Sequence, residues 1–197
     1  MSPFLPWSER SKGWEPHAER LRRLVPHKYG DPNSFDPWEL APKVSLHVIE
    51  CQFLGLTPEE RAHMSGLASS HWSGGVFATP LPDGRHVCML NPSHPHRRNK
   101  ITLMEEICHC FLGHTPTQMV VSGDMRFRDF NKGQEEEAYG VGAAVLLPWR
   151  LFYTFLDKGS TRDELAEEFD VTPDLVAYRI KICGASHLYT ARQRRRA

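Results

Sequence analysis

The segment from about Arg98 to Gly113 constrains this chain more than any other stretch. It places Glu105, Glu106 and His109 on a helix that is otherwise apolar. Ile101, Leu103, Met104, Ile107, Cys108, Phe111 and Leu112 wrap most of its circumference, which implies burial on several sides. Carboxylates on a mostly buried helix must be paired or bound to a cation, because an isolated buried charge is too costly. Positions four apart stack on one helix face, so Glu105 and His109 can converge on one point, with Glu106 one step round. In HExxH zinc sites, two helix residues hold the metal and the intervening Glu is general base. Here Glu105 stands where the first His would be, and a carboxylate oxygen is itself a zinc donor at about 2.0–2.2 Å.

Two ligands from one helix need a third. Glu135 is the best candidate, near the start of a second acidic-then-apolar helix over roughly Gln134 to Leu147 that ends at Pro148. On it Glu135, Ala138, Tyr139, Gly142, Val145 and Leu146 share the face expected to be buried. Glu136 points elsewhere, and Glu137 is less well aligned but reachable from a frayed first turn. Two carboxylates and one imidazole roughly neutralise a divalent cation, so its water should be acidified less than in a two-His site. That predicts slower hydrolysis or a higher optimum pH. Zinc is the expected ion, and the oxygen-rich ligand set admits manganese or iron.

The rest of the chain supplies the frame. Its 197 residues suit one compact domain, or one domain with a small appendage. A formal net charge of +0 gives no general bias toward nucleic acid or an acidic membrane. Five cysteines without a CxxC pair indicate reduced thiols and a cytoplasmic location. Residues 1–35 are polar and proline-rich, with a short helix around Ala18 to Leu24, and read as a loosely attached arm with no export signal. Ala138 to Leu156 is apolar, but Pro148 and Arg150 interrupt it, which predicts a buried helix and a break rather than a membrane span.

Asp36-Pro37 marks a helix start, Val44, Leu46 and Val48 alternate as in a strand, and Thr57 to Glu60 opens a further helix. Residues 74–79 and 86–90 flank Pro82-Asp83-Gly84 and predict a β-hairpin. Residues 114–131 are ambiguous between short strands and loop. Thr161 to Glu164 is a capping box, and Thr172-Pro173 starts the next helix, so the pair looks like a helix-turn-helix. The expected fold is α+β: a small antiparallel sheet packed on the metal-bearing helix, with a C-terminal helical segment. The divisions are a 1–35 arm, a 36–157 α+β domain and a 158–197 helical segment with a basic tail.

His114, just past the helix, reads as a surface residue ahead of a fourth metal contact or a substrate contact, and His94 and His96 in a proline loop read as solvent-exposed. Cys108 and Cys110 face different sides and suit ordinary packing. Glu60 and His63 repeat the E-x-x-H spacing of Glu106 and His109, but the hairpin breaks the four-helix pattern of a di-iron bundle. A DNA-binding regulator is the rival reading, through the C-terminal pair, Arg179, Lys181 and the Arg192, Arg194, Arg195 and Arg196 tail. Against it, the first turn of the second helix carries Asp174 and no basic residue.

Thr102 to His109, followed by Leu112-Gly113-His114, resembles the active-site helix of the ImmA/IrrE metallopeptidases. Glu135 to Tyr139, running on to Ala143 through Pro148, resembles that family's second helix, E-x-x-A-N…LL-x-P. The resemblance covers roughly residues 36–185. It implies an intracellular endopeptidase acting on a protein or peptide, such as a transcriptional repressor, with Glu106 as base and Glu105, His109 and Glu135 as ligands. Glu105 replaces the family's His, and Tyr139 its Asn or Asp. The two changes can be linked, since a ligand His needs an acceptor behind it whereas a ligand Glu needs a donor such as a Tyr hydroxyl. The alternative is a catalytically weak or inactive relative that binds a protein or DNA. The sequence leaves oligomeric state open.

Overall fold

The computed structural model describes residues 4–28, 31, 35–49, 57–59, 62, 72–77, 79–114, 119–122, 125–128 and 131–196, with 119–122 and 125–128 as backbone only. The helices are α1 (Glu9–Arg22), α2 (Pro37–Leu40, continued by a 3-10 turn at Ala41–Val44), α3 (His96–Leu112), α4 (Lys132–Leu146), α5 (Trp149–Lys158), α6 (Arg162–Glu168), α7 (Pro173–Ile182) and α8 (Ser186–Arg196). The strands are β1 (Leu46–Ile49), β2 (Gly74–Val76), β3 (His86–Leu90), β4 (Met119–Ser122) and β5 (Met125–Arg128). This is the expected α+β class.

The hairpin around Pro82-Asp83-Gly84 forms, with β2 antiparallel to β3 and Val76 opposite Cys88. The sheet as a whole is mixed rather than antiparallel, because β1 joins the other side of β3 in parallel, pairing Val48 with Cys88. A parallel partner requires a long crossover, and the intervening chain is long enough to make one. The 114–131 ambiguity resolves into the β4–β5 antiparallel pair. The helix expected from Thr57 onward, and the Glu60 and His63 pair, fall largely outside the described residues.

Helices α3 and α4 form the centre. Leu103, Met104, Ile107 and Cys108 of α3 are fully buried in one core with Ala138, Val141, Ala144 and Val145 of α4. Asn131 caps α4, its side chain accepting from the backbone N–H of Gly133 and Gln134. The chain breaks at Pro148 as expected, and α5 leaves α4 at a 67° bend. Among the described residues no single helix is long and apolar enough to cross a membrane.

The N-terminal arm differs from expectation. Its helix covers Glu9–Arg22 and is seated on α4, with Arg179 of α7 bonded to its Ser11 and Glu15, rather than loosely attached. Trp14 lies directly over Gly140, Leu21 is fully buried, and Arg22 donates to the Val145 carbonyl at 2.7 Å. Ser8 caps the helix by accepting from Ser11 N–H and itself donates to the Ile182 carbonyl. Polar composition concealed this because α1 buries only a narrow stripe, Ser11, Trp14, Ala18 and Leu21, spaced at three and four residues.

The C-terminal pair forms with the predicted caps, including both halves of the Thr161–Glu164 capping box. Its turn is docked on the start of α3. Asp170, held at φ 49°, receives Arg97 Nε at 2.9 Å and Lys100 Nζ at 3.3 Å, and Lys100 also donates to the Phe169 carbonyl. Arg179 is fully buried, donating to Leu147 O and Ser11 Oγ at 3.1 Å each and pairing with Glu15. The basic tail is helical; Arg192 pairs with Asp157 and Arg196 with Glu164. Arg179 is therefore internal, whereas Arg192 and Arg196 make their ion pairs at the surface.

Candidate metal centre

Packing of α3 against α4 brings together the three residues expected to ligate. One ligand atom from each of Glu105, His109 and Glu135 lies within 4.8 Å of the other two, and all three residues are half-buried. His109 Nε2 stands 3.6 Å from Glu135 Oε2. The first pair converges because residues four apart stack on α3, and the third arrives because Glu135 occupies the first turn of α4 on the side facing α3.

The electrostatics of the cluster would favour a cation. Burial pushes the Glu105 carboxyl up to about 7, and the neighbouring Glu106 and Glu135 charges push the same way. Burial also lowers the His109 imidazole, against the upward pull of Glu135 and with help from His114, so the neutral, metal-binding ring is favoured. A Glu105 carboxyl whose ionisation is resisted, beside a neutral imidazole, fits a divalent cation, which would stabilise the ionised form. The oxygen, nitrogen, oxygen donor set suits zinc and accommodates manganese or iron.

Glu106 lies one step round α3, toward the sheet. Its charge reaches three groups: Glu105, Cys110 on the same helix, and Cys88 on β3. Burial is the main reason that both thiols are raised, Cys110 to about 11, so neither is a nucleophile at neutral pH. Tyr139, one turn beyond Glu135, is raised chiefly by burial and next by the Glu105 charge, which places the two side chains in one electrostatic environment. Its ring packs edge-on against Tyr178 of α7 at 4.7 Å.

Two residues belong to this neighbourhood that sequence reasoning set aside. His114 is not a surface residue: its side chain is 7% exposed. Its Nδ1 stands 3.1 Å from His109 Nδ1, and its Nε2 stands 3.3 Å from Glu137 Oε2. Glu137 thus pairs with His114 and is not part of the ligand cluster. The cause is the end of α3. Gly113 adopts φ 70°, its N–H bonds the Cys110 carbonyl, and the His114 N–H bonds the His109 carbonyl at 3.0 Å. This 6→1 closure is a Schellman motif, which folds the second residue past the helix back over the last turn. Leu112-Gly113-His114 carried that signal, since glycine after a helix predicts the closure. Of the two histidines expected in the proline loop, His96 opens α3, is exposed as expected and stacks on Trp38 at 4.8 Å, whereas His94 is half-buried against Asn91.

A protein-family comparison matches residues 63–181, more than half of the chain, to the Peptidase_M78 model, described as an IrrE N-terminal-like domain. The match covers α3, α4 and most of α7. No curated protein and no solved structure matches the chain. A family match of this extent, over a helix pair with a Glu–His–Glu cluster, is metallopeptidase-like in kind. The chain belongs to the Peptidase_M78, IrrE N-terminal-like family.

Proposed function

We propose that the chain is a metal-dependent endopeptidase acting inside the cell on a regulatory protein, such as a transcriptional repressor. The convergence of Glu105, His109 and Glu135 from two helices carries this reading. In it those three residues hold one divalent ion, zinc in the first instance. The ion would supply Lewis-acid polarisation and a water acidified enough to attack a peptide carbonyl. Glu106 takes the proton of the attacking water and returns it to the leaving amine. Tyr139, whose hydroxyl feels the Glu105 charge, would serve as the donor that steadies that carboxylate once it ligates. Among the described residues β2 is an outer strand of the sheet, and an extended substrate could align along it by strand addition. Free thiols at Cys88, Cys108, Cys110 and Cys183 suit a reducing compartment.

One observation favours a second reading, a weakly active or inactive relative that regulates by binding. Glu105 in place of a histidine leaves the three ligands roughly neutralising the ion, which weakens its pull on water. Elemental analysis of the purified parent beside Glu105→Ala and Glu135→Ala tests the site. Stoichiometric metal in the parent, lost in both variants, is expected; a parent without metal overturns the site. Metal without peptide cleavage, unchanged by Glu106→Gln, would select the second reading.

A further inference from the structure

We propose that His114 and Glu137 are positioning residues that fix the tautomer of His109 and aim its Nε2 lone pair at the ligand cluster. The inference rests on the metal-centre reading above. It follows from a row of three side chains: Glu137 Oε2, 3.3 Å to His114 Nε2; His114 Nδ1, 3.1 Å to His109 Nδ1; and His109 Nε2, on the side of Glu135.

An ionised carboxylate only accepts, so the proton in the first contact belongs to His114 Nε2. A neutral imidazole carries one N–H, so His114 Nδ1 is then a bare acceptor. The facing nitrogen 3.1 Å away, His109 Nδ1, must hold its proton, because two bare lone pairs at that distance repel. His109 Nε2 is left bare, as a metal ligand requires. The opposite arrangement would put His114's bare Nε2 against the Glu137 carboxylate. Its compensating contact, His109 Nε2–H to Glu135, spans 3.6 Å, beyond good hydrogen-bonding distance.

The two rings cross at 72° with centroids 5.0 Å apart, so His114 also limits rotation of His109 about its side-chain bonds. The Schellman closure at Gly113 fixes where His114 stands, and Glu137 reaches it from the first turns of α4. Both elements that supply ligands therefore supply this support as well. His114 is not a further ligand in this arrangement, since its two nitrogens face His109 and Glu137 rather than the cluster.

Imidazole nitrogen NMR on the metal-free parent, at a mildly alkaline pH where the rings are neutral, reads the tautomers directly. His109 is expected protonated at Nδ1 and His114 at Nε2; a proton on His109 Nε2 overturns the proposal. Competition titration with Zn(II) supplies the second arm. His114→Leu should weaken zinc binding by about 10–100-fold, the loss typical when a partner behind a ligand is removed. His114→Asn, whose amide oxygen can accept in place of Nδ1, should recover most of it. Equal affinity for zinc in the parent and His114→Leu would overturn the proposal. If the parent takes up no zinc, the metal-centre reading fails, while the NMR arm still decides the tautomers.

Discussion

Gly140→Ala isolates the contact that seats α1 on α4. A Cβ added at Gly140 would lie 2.3, 2.4 and 2.5 Å from Cζ3, Cη2 and Cε3 of Trp14. Carbon atoms pack at about 3.5–4.0 Å, so the indole must retreat by roughly 1 Å or more. Trp14 is 7% exposed and belongs to the core, so that retreat disturbs its other neighbours. Two effects oppose. Alanine in a helix interior gains about 0.8–1.0 kcal/mol over glycine, and overpacking a filled core costs about 1–3 kcal/mol. The net expectation is a loss of roughly 0–2 kcal/mol. In a Trp14→Leu background the obstructing ring is gone, and the same substitution should stabilise by about 1 kcal/mol from helix propensity alone. The double-mutant cycle therefore has a coupling energy of about 1–3 kcal/mol and an inversion of sign. Urea denaturation followed by far-ultraviolet circular dichroism measures it, as a shift in midpoint at constant slope. If Gly140→Ala stabilises the parent as much as the Trp14→Leu variant, α1 does not rest on α4 and the arm is loosely held after all.

Arg179→Met strands Glu15 and leaves the Leu147 carbonyl and Ser11 hydroxyl without their donor, so a loss of about 3–5 kcal/mol is expected. Combining it with Glu15→Leu should restore much of that; a loss under about 1 kcal/mol from Arg179→Met alone would refute the buried pair. Burial works to raise the Asp170 carboxyl, but Arg97 and Lys100 outweigh it and hold it below its usual value. A carboxyl lowered in the folded state adds stability above its unfolded pKa of about 3.9 and loses it as pH falls through the folded value. Asp170→Asn should therefore flatten the loss of stability on acidification below that point, and identical acid profiles for parent and variant would contradict it. Glu106→Gln should reduce peptide cleavage by about 10²–10⁴-fold with metal retained, read by turnover beside elemental analysis. Glu105→His should raise turnover if a nearly neutralised ion limits the reaction; no gain would count against that electrostatic account.

Much of the site was legible because helix periodicity is a local rule. Glu105 and His109 had to share a face of α3, and Glu135 had to lie on the face of α4 that carries Ala138 and Tyr139. Three caps were legible for the same reason: Asp36, Thr161 and Thr172 each accept from the first turn of a helix. His114 was misjudged because its burial depends on a chain reversal at Gly113 and on a partner from another helix. The parallel pairing of β1 escaped detection because alternation reveals a strand but not its neighbour or direction.

The sequence by itself determined which residues could act together on one helix, where several of the helices begin, and that buried carboxylates call for a counter-charge. Those follow from spacing, propensity and the cost of burying an ion, each readable within a few residues. Only the tertiary structure decided that α3 and α4 face one another with candidate ligand atoms of Glu105, His109 and Glu135 within 4.8 Å of one another. It also decided that Arg179 is an internal anchor for α1 rather than a surface cation, and that His114 and Glu137 stand behind His109. Such contacts join residues distant in sequence, and what selects them is the packing of whole helix faces, which no local pattern encodes.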